Sequence, residues 1–540
     1  MTRRPFNGFR LGRPFAPREF LLAFAGLTLV AALALGPFIR HGGFFLDDWS
    51  NGAGALQPPG SPDVGNALSF FTEITAFRPV LIVYVPLTYF VFGMHIHMHD
   101  AWSVFLAVLA AATFYAVLRT LGVPWIHGWL IAALTIVFPW SDATRFWVTG
   151  DQVTLSITIM GVGLLIALIG LKREAWRWHA FAVGLYLLSI LTYEVTLPLI
   201  ACLGFLYWFR AGWRAARVRW LADLGAVVVG GIWVGAHTKR TTSGLAADFE
   251  HLKQIVSSGG TILGRAGMPL GSSQTSLVLS ILGVILCVGI GTYFFRREKF
   301  SSPGWSLRSW LLLSGAGLAV AVLGWVMFIP ADHYYTPSVF GLTNRVNGLA
   351  AFGLIMLVYG SFGIIGVLLG QIRPKVRWIA ASVTVLLALA MLGSYTHVLR
   401  RHITIWDEAF GAQIAGLSEL KAAMPRLPHG ATVFASSYPA NQTLGVPIMA
   451  STWDFDGMVK MEYDDFSLSG YPVLEGLRVV CRTNGVALQG EGAPAVTAPY
   501  GSARLMNFQS GKYTAPQGQH ACERVANNYV PGPLYLSLSY

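Results

Sequence analysis

Charge is what this chain has least of. Charged residues make up 12% of its 540 positions and only 26 of them are Asp or Glu, against 54% hydrophobic residues. Such a composition does not suit a string of soluble domains. Cysteine is scarce too, with four in all, and none has the close spacing of a zinc or thioredoxin-type motif. Cys202 and Cys287 lie within apolar runs and read as small hydrophobes. Cys481 and Cys522 lie in the polar C-terminal part, where an oxidising compartment would allow a disulfide. Internal repeats and low-complexity tracts are both missing.

What is present is a succession of apolar runs, each near the roughly 20 residues needed to cross a hydrocarbon core. They predict an all-α polytopic membrane protein, and the net charge of +12 then gives no argument for nucleic acid. Lys and Arg in such a chain mark cytoplasmic loops. The first run, Phe20 to Ile39, follows a basic segment with Arg3, Arg4, Arg10, Arg13 and Arg18. Its length favours a retained anchor over a signal peptide cut at Ala32-Leu33-Ala34.

Charge also decides the fate of the segment Pro79 to Gly93. If it does not cross, the later spans are Ala101–Leu118, Trp125–Pro139, Val153–Leu171, Trp178–Thr192, Val195–Phe209, Leu221–Ala236, Ser276–Phe294, Trp310–Ile329, Val346–Gly370 and Trp378–His397. Nearly all loop Lys and Arg then fall on the cytoplasmic side, including Arg119, Lys172, Arg173, Arg177, Arg210, Arg214, Arg217, Arg219, Arg296, Arg297, Lys299, Arg308, Arg373, Lys375 and Arg377. If it crosses, all of them fall outside, against the usual bias. The segment is therefore predicted to be interfacial or re-entrant. About eleven helices span, with the N-terminus cytoplasmic and the C-terminus extracytoplasmic in a plasma membrane. Residues 1–399 form this membrane domain, with a functional first outer loop at 40–100. Residues 400–540 form a small extracytoplasmic α/β or β-rich domain that opens on an amphipathic helix, Ile405 to Met424, ended by Pro425.

The scarce polar groups gather on the outer side. Asp47 and Asp48 stand just past the first span, in His41-Gly42-Gly43-Phe44-Phe45-Leu46-Asp47-Asp48-Trp49-Ser50. A carboxylate there can deprotonate an acceptor hydroxyl, and neighbouring carboxylates raise one another's pKa. The alternative is a solvated loop pair or a helix cap. Arg78 and Arg345 are placed to grip a phosphate, or to snorkel as interface anchors. Glu194, alone between two apolar runs, is a functional candidate by its membrane depth, unless a short turn explains it. Asp151 and His333 are supporting candidates. His95, His97 and His99 alternate; extended, they would share a face and could take a divalent metal, while on a helix they fan apart, and interfacial packing is the leading reading. Asp454, Asp456, Asp464 and Asp465 read as polar surface, with calcium as the alternative.

Several pieces in order resemble the GT-C superfamily of polyprenyl-phosphate-sugar-dependent glycosyltransferases. They are Phe45-Leu46-Asp47-Asp48-Trp49, Arg78-Pro79-Val80 leading into Tyr89-Phe90-Val91-Phe92-Gly93, Phe138-Pro139-Trp140 with Asp142 to Asp151, and Ser189-Ile190-Leu191-Thr192-Tyr193-Glu194. The last is similar to a pattern of the O-mannosyltransferase branch, and a basic residue at Arg78 resembles the phosphate-contacting cation of aminoarabinose and mannose transferases. The likeness covers about the first 210 residues. It implies an inverting membrane transferase with an acidic first-loop base. Its donor is a polyprenyl-phosphate monosaccharide, and its acceptor is a glycan, lipid or protein of the cell envelope. An O-antigen-type polymerase or ligase, drawing on Arg145, Arg240, Arg265 and Arg345, and a transporter or flippase of lipid-linked sugars are the competing classes.

Overall fold

A computed structural model describes residues 16–58, 62–238, 244–270, 305–372 and 377–536. Among these are eight helices long and apolar enough to cross a membrane: Pro17–His41, Ile96–Thr120, Val148–Lys172, Glu194–Ala211, Trp213–His237, Leu307–Val326, Leu342–Gly370 and Ser382–Ala423. The protein is thus of the multi-pass membrane class. Two further expected spans are the shorter helices Trp125–Val137 and Trp176–Thr192, of 13 and 17 residues. Pro139 ends the first of these, and extended backbone at Tyr193 ends the second. The expected span Ser276–Phe294 lies outside the described residues, as do Arg3, Arg4, Arg10, Arg13, Arg240, Arg296, Arg297, Lys299, Arg373 and Lys375.

The segment after Arg78 is a helix, Leu81–Phe92, of 12 residues. At 1.5 Å per residue it reaches about 18 Å, well short of a hydrocarbon core of about 30 Å. Val83, Leu87 and Val91, spaced four apart, are all exposed. They form one apolar stripe on its surface. Ahead of it runs the helix Val64–Thr75, started by the Asp63 carboxylate, which accepts Asn66 N–H at 2.8 Å.

By packing, the chain forms two compact units. One runs up to Gly36 and includes Trp102–Arg145 and Gly150–His402; the other includes Pro37–Ala101, Phe146–Thr149 and Ile403 onward. One break between the units falls after His402, and residues 37–101 belong to the second unit. They cluster with the C-terminal part and not with the membrane helices. A difference concerns the helix expected to begin at Ile405. A single helix of 47 residues, Arg377–Ala423, runs through that point and stops before Pro425. Between His397 and Ile405 the chain has no Gly or Pro. The fall in hydropathy there marks a change of surroundings and leaves the backbone hydrogen bonds intact.

In the first unit, small residues let helices touch. A Cβ added to Gly317 would lie 2.6 Å from Gly353 O, and one added to Gly353 would lie 2.3 Å from Ala321 N. The helices Leu307–Val326 and Gly348–Ile372 therefore meet backbone to backbone, the small-residue mode of membrane helix packing.

In the second unit, the strands Ser469–Pro472, Thr432–Ser436, Ala503–Asn507 and Lys512–Thr514 form a sheet in that order. The first three are parallel. Parallel neighbours need a crossover, and the helix Thr452–Tyr463 supplies it between Thr432–Ser436 and Ser469–Pro472. Thr432–Ser436 is buried along its whole length, as a central parallel strand should be. Arg478–Arg482, Gly485–Gln489 and Thr497–Ala498 make a separate antiparallel sheet. Cys481 and Cys522 are disulfide-bonded across a separation of 41 residues, with Cys522 in a core beside Phe434, Leu488 and Leu505. Replacing both by Ala is expected to lower the stability of this region by up to about 4 kcal/mol on loop entropy, read as an earlier unfolding transition in calorimetry.

Candidate functional site

The acidic pair opens a helix, Asp47–Ala55. Leu46, just before it, has φ 50° and ψ −115°, a conformation that side chains with a Cβ rarely adopt, so the backbone entering the pair is strained. The two carboxylates then diverge in fate. Asp48 is fully buried. Its Oδ2 accepts Phe45 N–H at 2.9 Å and Val148 N–H at 3.3 Å. Its Oδ1 accepts Thr149 N–H at 2.8 Å and the Thr149 hydroxyl at 2.6 Å. Asn51 Nδ2 in turn donates to Thr149 Oγ1 at 2.9 Å, and the Tyr89 hydroxyl donates to Asp48 O at 2.7 Å. Burial pushes the Asp48 carboxyl up to about 7, with these donors opposing and the Asp47 charge adding a little. Asp48 is a clasp between Phe45 and the Val148–Thr149 turn.

Asp47 stays half-buried. Its Oδ1 accepts the indole N–H of Trp453 at 2.7 Å. Trp453 lies in the first turn of Thr452–Tyr463, whose cap is Ser451, its hydroxyl accepting Asp454 N–H at 3.2 Å. One turn on, a Cβ at Gly457 would stand 2.5 Å from Trp49 C and 2.6 Å from Ser50 N. The two helices touch there through backbone, which brings Trp453 to Asp47. Trp49 Nε1 adds a hydrogen bond to Gln413 Oε1 at 3.1 Å. Gly457→Ala is expected to part these helices at a cost of about 1–3 kcal/mol, because backbone atoms cannot rotate away. A lowered unfolding temperature checks this.

No protein-family model matches the chain and no curated protein is similar to it. The site therefore stands on its own chemistry.

Arg78 belongs to the same unit and is buried, its guanidinium 4.7 Å from the centre of the Phe77 ring. The histidines do not converge. His99 is buried among Phe44, Tyr89 and Phe92, with Nε2 donating to Gly93 O at 2.9 Å. His97 is exposed and its Nδ1 lies 2.8 Å from Ile39 O, while His95 precedes the helix that carries the other two. Among the described residues no group of three His, Cys, Asp or Glu is arranged to hold a metal. The helix beginning at Ile96 fans His97 and His99 apart. Asp454 is not polar surface either. Its helix turns it fully inward, and burial, with the Asp47 charge adding, pushes its carboxyl well above the usual range. Asp456 pairs with Lys460 at 2.5 Å and accepts Gly470 N–H at 3.1 Å, a structural use.

The other candidates belong to the first unit. Arg345 is buried with its guanidinium 5.0 Å from the ring centres of Tyr334 and Tyr335. His333 is exposed, its Nδ1 3.0 Å from Gln254 Oε1. Asp151 is buried at the start of the helix Asp151–Lys172, and Glu194 is half-buried at the short turn Glu194–Thr196. That unit also has a polar centre not expected from sequence. Asp142, fully buried, accepts Asn344 Nδ2 at 2.5 Å and meets His402 Nδ1 at 2.5 Å. Arg145 close by is buried and donates to Phe138 O at 2.6 Å, and burial lowers its pKa to about 10. It lines a cavity of about 20 Å³ together with Thr135, Ser141, Thr144 and Gly348. Trp453, Gln413 and Thr149 carried no signal in the sequence; they are brought in by packing alone.

Proposed function

We propose that the protein is a membrane glycosyltransferase of GT-C type, moving a monosaccharide from a polyprenyl-phosphate donor to a cell-envelope glycan, lipid or protein. One observation carries this reading. Of two adjacent carboxylates, Asp48 is buried and committed to hydrogen bonds, while Asp47 stays accessible and is aimed by an indole N–H. Such a division suits a base that must meet substrate from a fixed position.

In the reaction, Asp47 takes the proton of the acceptor hydroxyl as that oxygen attacks the anomeric carbon. The bond from anomeric carbon to phosphate oxygen breaks, and the electron pair leaves with the polyprenyl phosphate. Attack opposite the leaving group inverts the anomeric centre. Arg78 would balance the charge that builds on the departing phosphate. The short helix Leu81–Phe92 with its apolar stripe suits a segment lying at the membrane surface, where a lipid-linked donor presents its head group. The Cys481–Cys522 disulfide favours an extracytoplasmic C-terminal part. With it the acidic pair faces outside, in the plasma membrane, and the N-terminus is cytoplasmic.

The test is transfer by purified protein from a panel of polyprenyl-phosphate monosaccharides. Arg78→Ala is expected to raise the KM for donor with little change in unfolding temperature. A variant that only unfolds more easily would make Arg78 an anchor. Use of oligosaccharide-diphosphate lipids alone would indicate a polymerase or ligase.

A further inference from the structure

Trp453 inverts the usual disposition of a tryptophan. An indole in a protein commonly hides its ring and leaves its N–H to reach a polar partner. Here the N–H is held at 2.7 Å by Asp47 while the residue is 52% exposed. Its sequence neighbours do the opposite, since Asp454 and Phe455 are fully buried. Nor is the ring loosely placed. The Ser451 cap fixes the start of the helix, and Gly457 seats the helix on the Trp49–Ser50 backbone. A rigid aromatic is thus held open beside the one accessible carboxylate of the acidic pair.

We propose that Trp453 is both a sugar-contacting and a positioning residue, its exposed face receiving a hexose ring while its N–H aims Asp47. The assignment rests on the base role of Asp47 proposed above. The C–H face of a pyranose carries slight positive charge and settles on the negative face of an aromatic ring. The indole N–H lies in the ring plane, so the carboxylate it holds stands at the ring edge. A sugar lying on the face carries its ring-edge hydroxyls past that edge toward Asp47. The N–H bond also favours the ionised carboxylate, the form that can accept a proton.

The experiment uses the full chain in detergent, with saturation-transfer NMR on a panel of methyl hexopyranosides, beside transfer assays over a range of pH. Trp453→Ala is expected to weaken binding of the preferred sugar roughly 3- to 10-fold, while Trp453→Phe keeps it within about 2-fold. Trp453→Phe, lacking the N–H, should also move the acidic limb of the transfer profile to higher pH. If the Ala variant fails to fold, Trp453→Leu keeps an apolar side chain without a π face and serves in its place. Displacement of the bound glycoside by a polyprenyl-phosphate hexose assigns the sugar to the donor; persistence assigns it to the acceptor. Binding by wild type of no sugar in the panel, or unchanged binding by both the Ala and Leu variants, overturns the assignment. Transfer that survives Asp47→Ala would overturn the base reading instead, and the sugar contact is judged separately by binding.

Discussion

Asp47→Ala is expected to reduce sugar transfer by roughly 10²- to 10⁴-fold, the usual share of a positioned general base. Its stability should change by no more than about 1 kcal/mol, as expected for a half-buried group whose hydrogen-bond partner Trp453 is exposed. The carboxylate accepts an indole N–H at 2.7 Å, and at this half-buried position water can take the place of the acceptor when it is removed. Loss of activity with an unfolding temperature close to wild type is the expected pair of results.

Asp48→Ala is expected to behave in the opposite way. Four donors end on the Asp48 carboxylate, from Phe45, Val148 and, twice, Thr149. Removing it strands them in a buried site, where each unmet group costs about 1–3 kcal/mol before relaxation. A loss of about 3–5 kcal/mol is a large part of the 5–15 kcal/mol that holds an ordinary domain. The variant should accumulate poorly and melt early. Its pH behaviour is a separate check. A carboxyl in an unfolded chain titrates near about 4, whereas burial pushes Asp48 to about 7. The folded state therefore binds this proton more tightly, so the group's contribution to stability falls as pH rises from about 4 to about 7 and is level above that. Asp48→Asn should remove that slope, which thermal unfolding across this range would show.

The helices were legible because apolar runs and their breakers leave a strong local signature. Each expected span within the described residues coincides with a helix, and eight of these helices have the length and apolarity to cross. The short helix after Arg78 was legible too, from the brevity of its apolar run. What the sequence hid is tertiary. Nothing local distinguishes Asp47 from Asp48; the difference arises because the Val148–Thr149 turn closes on one of them, about 100 residues away in the chain. The part played by the C-terminal region was hidden for the same reason. Trp453 and Gly457 read as ordinary helix residues until the helix is seated on Trp49 and Ser50. Of the alternating histidines, His99 packs among Phe44, Tyr89 and Phe92 on the helix that begins at Ile96, while His97 on the same helix is exposed. Asp454 looked like surface because its burial depends on which side its helix packs.

The most direct measurement is transfer from a panel of polyprenyl-phosphate monosaccharides by wild type and by Asp47→Asn, both purified and matched for unfolding temperature. The expected result is turnover of at least one donor by wild type, with inversion at the anomeric carbon, and a drop of at least about 100-fold in the variant. Turnover by Asp47→Asn equal to wild type would contradict the assignment of Asp47 as base, and no turnover of any donor by wild type would contradict the transferase itself.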